Sequence, residues 1–166
     1  MQTAYFAGGC FWCITPDFQE SPGVASVVSG YSGGTEADPT YQQVKTQSTG
    51  HRETIAVDYD PAQITYEALL EIFLQGVDPF DGGGQFIDRG HSYTLAVYYT
   101  DDTQRRTAEA RFARLAQESG RTVEIAVEPF TGFYPAEEYH QDYYRKHPEA
   151  FQRELEESGR LNRKQT

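Results

Sequence analysis

The 166-residue chain has only two cysteines, and both lie in one short segment, Cys10-Phe11-Trp12-Cys13. A cross-link between residues three apart closes too small a loop to staple a fold, so an apolar core must hold the chain together, and the length is enough to build one. Zinc would need two more ligands at suitable spacing. The four histidines, His51, His91, His140 and His147, contain no His-x3-5-His pair, so the sequence predicts no metal site. Cations are scarce: 14 Lys and Arg against 25 Asp and Glu leave a net charge of −11. Such a surface repels a phosphate backbone, so nucleic acid is not expected as a partner. No apolar run approaches the ~20 residues of a membrane span, and the N-terminus lacks the basic stretch and apolar segment of a secretory signal. With no disulfide framework, the expected compartment is a reducing cytoplasm. Repeats and low-complexity linkers are missing. Gly82-Gly83-Gly84 lacks the Lys-Ser/Thr that a phosphate loop requires and reads as a flexible loop.

What is present gathers around the cysteines. Thr3-Ala4-Tyr5-Phe6-Ala7 reads as a short strand and Ile14 to Glu20 as the body of a helix, so Cys-x-x-Cys sits where a strand hands over to a helix. Gly8 and Gly9 allow a tight turn and close approach to the backbone. A helix N-terminus offers unpaired N–H groups and the positive end of a dipole, both of which favour an anion. Cys10 is therefore expected to have a lowered pKa and to be a reactive thiolate. Phe11 and Trp12, beside that sulfur, would wall a small apolar pocket. The chain also carries 12 tyrosines and 10 phenylalanines, which suit either core packing or a pocket with polar tips.

Further along, Val24 to Tyr31 reads as a strand and Tyr41 to Lys45 as one helical turn. In the strand His51 to Tyr59, Ile55, Val57 and Tyr59 alternate with polar or small residues, and Glu53 has the parity of the apolar set. Thr65 caps a helix to about Gln75. Ser92 to Tyr99 reads as a strand with Tyr93, Leu95, Val97 and Tyr99 on one face. Asp101 or Asp102 caps a long amphipathic helix that Gly120 stops. Val123, Ile125 and Val127 form a last strand. Pro135 opens a helix through Tyr139 and Tyr143, which Pro148 ends. Gln152 to Thr166 is polar and reads as a loose tail. The unit is thus expected to span residues 1–151, with a tail at 152–166. The order of elements favours an α+β two-layer sandwich, a mixed or antiparallel sheet with helices packed on it, over a doubly wound parallel sheet.

Glu53 is the carboxyl that strand parity turns inward. Burial raises the pKa of such a group, and a neutral acid can donate a proton. The alternative is a carboxylate at a strand entrance, solvated or paired with Arg52 or Arg89. Tyr93 shares an inward parity, for which core packing is the common explanation. Tyr41 and Asp88 are loop polar residues, for which a surface position is the common one.

These residues fall within a family resemblance. Gly9-Cys10-Phe11-Trp12 resembles the signature of the A-type peptide methionine sulfoxide reductases. Gly30-Tyr31-Ser32-Gly33-Gly34, Asp38-Pro39-Thr40-Tyr41, Thr49-Gly50-His51-Arg52-Glu53, Asp88-Arg89-Gly90-His91-Ser92-Tyr93 and Ala136-Glu137-Glu138-Tyr139-His140-Gln141 are similar to that family's further segments, in the same order. The likeness implies a ferredoxin-like α+β fold and reduction of methionine-S-sulfoxide, peptide-bound and free. It implies Cys10 as nucleophile, Phe11 and Trp12 as walls for the sulfoxide's methyl group, and Glu53 as proton donor to its oxygen. Tyr41 and Tyr93 would hold that oxygen, and Asp88 would orient the site or its water. No bound cofactor is implied; thioredoxin, or a small dithiol, would be the reductant. Oxidised proteins and free methionine-S-sulfoxide would be the substrates, and nothing demands a second subunit. The chain departs from the family in four places. Cys13 stands where many members have Gly, and the C-terminal segment has no cysteine. Ile87 stands where some relatives have Cys, and Ser92-Tyr93-Thr94-Leu95 replaces the usual Gln-Tyr-Arg-Ser.

Cys13 is the only other thiol, so an intramolecular disulfide must be Cys10–Cys13. Residues three apart on a helix have β-carbons ~5–6 Å apart, whereas a disulfide needs ~3.8 Å, so the first turn must adjust. The alternative is that Cys13 only packs in the helix and an outside thiol resolves the Cys10 sulfenic acid. Two other functions compete: a thioredoxin-like dithiol-disulfide oxidoreductase, which leaves Glu53, Tyr41 and Tyr93 without a role, and a metal-binding or thiol-storage module.

Overall fold

A computed structural model describes residues 1–141 and 143–158. Its strands are β1 (Gln2–Gly8), β2 (Val24–Ser32), β3 (Arg52–Tyr59), β4 (Gly84–Gln85), β5 (Asp88–Arg89), β6 (Leu95–Tyr99), β7 (Ile125–Pro129) and β8 (Phe133–Pro135). Its helices are α1 (Phe11–Gln19), α2 (Tyr41–Lys45), α3 (Tyr66–Gly76), α4 (Asp102–Ser119), α5 (Tyr143–Lys146) and α6 (Pro148–Ser158). Six strands form one sheet in the order β7-β6-β1-β3-β2-β8. β7 runs parallel to β6 and every other pairing is antiparallel, so the architecture is α+β with a mixed sheet.

The helices start and stop where local chemistry satisfies their ends. Thr65 Oγ1 accepts the Ala68 N–H at 3.0 Å before α3, and Asp101 Oδ1 accepts the Gln104 N–H at 2.7 Å before α4. Each such cap contributes about 1 kcal/mol. Gly120 ends α4 in the left-handed region, φ 69°, as a glycine does at little steric cost. Thr40 and Gln43 form a reciprocal capping box on the short α2, which fixes Tyr41 at its first position.

One face of the sheet carries α1, α3 and α4 over the main core. Phe6 of β1 stacks between Phe18 of α1 and Phe73 of α3, each with ring centroids 5.2 Å away. On the opposite face Tyr5 stacks on Phe130 at 4.0 Å. There, Arg52 Nη1 donates to the Tyr98 hydroxyl at 3.0 Å and to Glu128 at 3.2 Å. β3 is therefore covered on both faces; Arg52 and Glu53 leave it in opposite directions, as the pleat requires.

Five expectations are corrected. The strand foreseen from Ser92 begins only at Leu95, and His91–Tyr93 form a 3-10 turn. Gln47 accounts for it: its Oε1 accepts the Ser92 N–H at 2.9 Å and its Nε2 donates to Ser92 Oγ at 2.8 Å, so these groups are satisfied outside the ladder. The glycine loop leads into a two-stranded hairpin, β4–β5, braced by a bidentate Arg89–Asp81 pair at 2.6 and 2.8 Å. Pro135 ends a strand instead of opening a helix. It pairs with Gly30, and the next N–H, of Ala136, donates to Ser29 O at 2.8 Å. Gln141 then fixes the segment to β2, its side-chain amide exchanging hydrogen bonds with the Ser29 backbone at 2.9 Å in both directions. Pro148, expected as a terminator, is the first residue of α6, the position where a missing N–H costs nothing. The loose tail expected from Gln152 is helical through Ser158, because Leu155, 7% exposed, packs with Phe151 against Cys10 and Cys13. Residues 159–166 of that expectation lie outside the described residues.

Candidate active site

The turn from β1 into α1 places the cysteines. Gly9 has φ 84°, a conformation side chains rarely adopt. A Cβ on Gly8 would lie 2.9 Å from Ile14 Cδ1 and 3.1 Å from Phe73 Cε1. Gly8 thus lets α1 and α3 close on the strand, not a ligand on the backbone. Cys10 occupies the cap position of α1 without a side-chain capping bond. Its thiol and that of Cys13 are hydrogen-bonded to each other, both are reduced, and the Cys13 N–H donates to Cys10 O at 3.1 Å.

Glu53 reaches this turn from β3, where it pairs in register with Tyr31. It is 1% exposed, and its Oε1 accepts the Phe11 N–H at 3.2 Å. Tyr41 comes from α2, held by its own N–H, which donates to Glu137 Oε2 at 3.1 Å. Glu137 Oε1 accepts the Tyr31 hydroxyl at 2.9 Å. Tyr93 comes from the 3-10 turn, and its hydroxyl is close enough to that of Tyr41 for the two to influence each other's ionisation. Cys10, Phe11, Trp12, Cys13, Tyr41, Glu53, Asp88 and Tyr93 all line one cavity of about 260 Å³, together with Lys45 and Ile87. The fold thus brings together every site residue foreseen in the sequence. A larger groove of about 750 Å³ lies between α3 and α4; it contains neither cysteine, so volume alone does not mark the site.

One electrostatic expectation is reversed. The Cys10 pKa is raised well above the ordinary thiol value, not lowered. The hydrogen bond with Cys13 is the largest cause, followed by burial and by the negative charges of Cys13, Glu53 and Asp88. The helix end fails to compensate because its first N–H is directed at Glu53. Cys10 is therefore a thiol at rest. Burial, then the Glu53 charge, pushes Tyr41 and Tyr93 far up, so both phenols remain hydrogen-bond donors at any physiological pH.

Sequence reasoning gave no role to two contributors. His140, 1% exposed, sits with its ring centroid 4.3 Å from Tyr41 and 5.3 Å from both Phe11 and Trp12. Burial holds its pKa down, against the opposing pull of Glu137, so it is a neutral ring behind the site walls. Its signal was the Ala136–Gln141 segment, whose other members brace Tyr41 and β2. Lys45 carried no signal beyond its place four residues after Tyr41.

The family model for peptide methionine sulfoxide reductase matches residues 2–166. The chain belongs to that family. It is 47% identical over 161 residues to the peptide methionine sulfoxide reductase MsrA of Bacillus licheniformis, covering 96% of this chain and 89% of the relative. It is 48% identical to MsrA of Bacillus subtilis, covering 96% and 91%. Among solved structures it superposes on methionine sulfoxide reductase A of Corynebacterium diphtheriae with a TM-score of 0.82 at 31% identity, over 89% of this chain and 75% of that one. Membership of the A-type reductases sets aside the thioredoxin-like and thiol-storage alternatives. A simple dithiol exchanger would also leave the carboxyl and two phenols beside the cysteines without a role.

Proposed function

We propose that this chain reduces methionine-S-sulfoxide, free and peptide-bound, to methionine, with Cys10 as the nucleophile. The observation that carries the reading is the shared cavity of Cys10, Glu53, Tyr41 and Tyr93 beside Phe11 and Trp12. A sulfoxide sulfur becomes a good electrophile only as its oxygen takes a proton. Glu53 passes the Cys10 thiol proton to that oxygen, while the Tyr41 and Tyr93 hydroxyls donate hydrogen bonds to the oxygen as it leaves sulfur. The partial positive charge on the sulfoxide sulfur draws out the Cys10 thiolate that the carboxylates suppress at rest. Phe11 and Trp12 hold the methyl group, and Asp88 orients the site or its water. The step balances as Cys10 thiol plus sulfoxide giving Cys10 sulfenic acid plus methionine. The Cys13 thiol then displaces water from the sulfenic acid, leaving a Cys10–Cys13 disulfide. Thioredoxin or a small dithiol returns two electrons and two protons. This cycle needs no bound metal or organic cofactor.

The methyl group and the oxygen need different walls, so the cavity is chiral, and by family membership the epimer it takes is the S form. The reading also places the chain in the cytoplasm as a monomer, with oxidised proteins as substrates and no engagement of nucleic acid or membrane; no described helix is long and apolar enough to cross a membrane. The working unit takes in residues 1–151 and extends through α6, since Leu155 covers the cysteines. Strands β1, β2, β3 and β6, with α1 and α3, follow a βαββαβ order that we class as ferredoxin-like. The test is to incubate the reduced protein with each epimer separately and count methionine released and thiols lost. One methionine and two thiols per protein, from the S epimer only, is expected. Insulin-disulfide reduction without methionine release would overturn the assignment.

A further inference from the structure

We propose that Lys45 recognises a carboxylate on the substrate, so that it sets which methionine sulfoxides the site prefers. This rests on the reductase reading above. Lys45 is the last residue of α2 and lies four positions after Tyr41, on the same helix face. Its ammonium sits 5.7 Å from the centroid of the Tyr41 ring, a cation–π contact that keeps the charge against that ring. Among the described residues it is the sole basic one lining the cavity, whose wall also holds the acidic Glu53 and Asp88. Its side chain is exposed, and none of the ion pairs among the described residues includes it. The nine pairs satisfy other cations, and this one stays available at the mouth.

The charge balance gives that availability a purpose. A chain at −11, with two carboxyl side chains in the cavity wall, opposes the approach of any anion. A free amino-acid substrate brings an α-carboxylate, and a peptide substrate with a neighbouring Asp or Glu brings a side-chain carboxylate. One ammonium at the rim offsets part of that repulsion for both. The reach also agrees. Four bonds separate the sulfoxide sulfur from the α-carboxylate carbon, about 5 Å when extended. The Tyr41 hydroxyl, which receives the sulfoxide oxygen, projects from the same ring that the Lys45 ammonium contacts.

The experiment compares kcat/KM for N-acetyl-methionine-S-sulfoxide, for its neutral amide, and for an amidated peptide in which Asp follows the sulfoxide. The proteins are the parent, Lys45→Met, Lys45→Glu and Lys45→Arg. In Lys45→Met the carboxylate-to-neutral ratio should fall about two- to five-fold, the range of one exposed ion pair. The change should appear in KM rather than kcat. It should deepen in Lys45→Glu, be rescued in Lys45→Arg, and shrink at about 0.5 M salt. A fall confined to the N-acetyl substrate identifies the α-carboxylate as the group read, and one confined to the Asp peptide identifies acidic flanks. An unchanged ratio for both substrates in Lys45→Met and Lys45→Glu overturns the proposal. Failure of the parent to reduce even the neutral amide would instead overturn the reductase reading.

Discussion

Replacing Glu53 by glutamine separates two effects that pull in opposite directions on the same sulfur. Glu53 is one of the negative charges that keep Cys10 protonated, so Glu53→Gln should lower the Cys10 pKa and make the thiol more reactive towards a simple alkylating agent. The amide has no proton to deliver to a sulfoxide oxygen, so methionine formation should fall by about 100- to 10,000-fold, or ~3–5 kcal/mol of barrier. The fold should survive, because the glutamine oxygen can still accept the Phe11 N–H that Glu53 Oε1 accepts at 3.2 Å. Exchanging a charged for a neutral acceptor costs about 1 kcal/mol, or a few degrees in Tm for a domain of this size. Two assays read the two effects. Iodoacetamide labelling of the Cys10 peptide, followed by mass spectrometry near neutral pH, should be faster in the variant. Rapid-quench single turnover with methionine-S-sulfoxide should be slower. An unchanged single-turnover rate would place the acid elsewhere, and slower labelling would refute the electrostatic account of Cys10.

Three further outcomes follow from the same structure. Cys13→Ser should release about one methionine per protein and then stall with thioredoxin as sole reductant, leaving a sulfenic acid on Cys10; undiminished turnover would show that an outside thiol resolves it. Leu155→Ala should uncover Cys13, now 3% exposed, and speed its labelling while costing about 2 kcal/mol in denaturant unfolding; equal labelling rates would mean that α6 does not shield the pair. Burial, the largest cause in each case, raises Tyr31, Tyr41, Tyr66 and Tyr93 above the ordinary value of 10.0. Each therefore holds its proton more tightly folded than unfolded. Their stabilising contribution is complete below pH 10 and is lost as pH rises towards the folded values. Urea midpoints should fall steeply above about pH 10, with delayed tyrosinate absorbance; a flat midpoint there would contradict the burial.

The sequence by itself determined where the two cysteines sit between strand and helix, the inward turn of Glu53 and the main strands and helices. These are local properties: Cys10 and Cys13 lie three residues apart, Glu53 shares the two-residue period of Ile55 and Val57, and the caps at Thr65 and Asp101 act within one turn. The ordered segments around Tyr41, Glu53, Tyr93 and His140 were also enough to identify the family. Only the tertiary structure decided the ionisation of Cys10. The dipole argument left out the hydrogen bond with Cys13, the largest cause, and burial, the second; the charges of Glu53 and Asp88, distant in sequence, add to both, and the Phe11 N–H goes to Glu53. The same limit applies to proline. Pro135 and Pro148 carry the same local preference, yet one ends a strand against Gly30 and the other starts a helix. What separates them is partner chemistry: the Ser29 backbone and the Gln141 amide claim the first segment, and burial of Leu155 over the cysteines organises the second. Lys45 is the sharpest instance, since a lysine on a short helix comes to share a cavity with the two cysteines only because α2 closes beside α1 and β3.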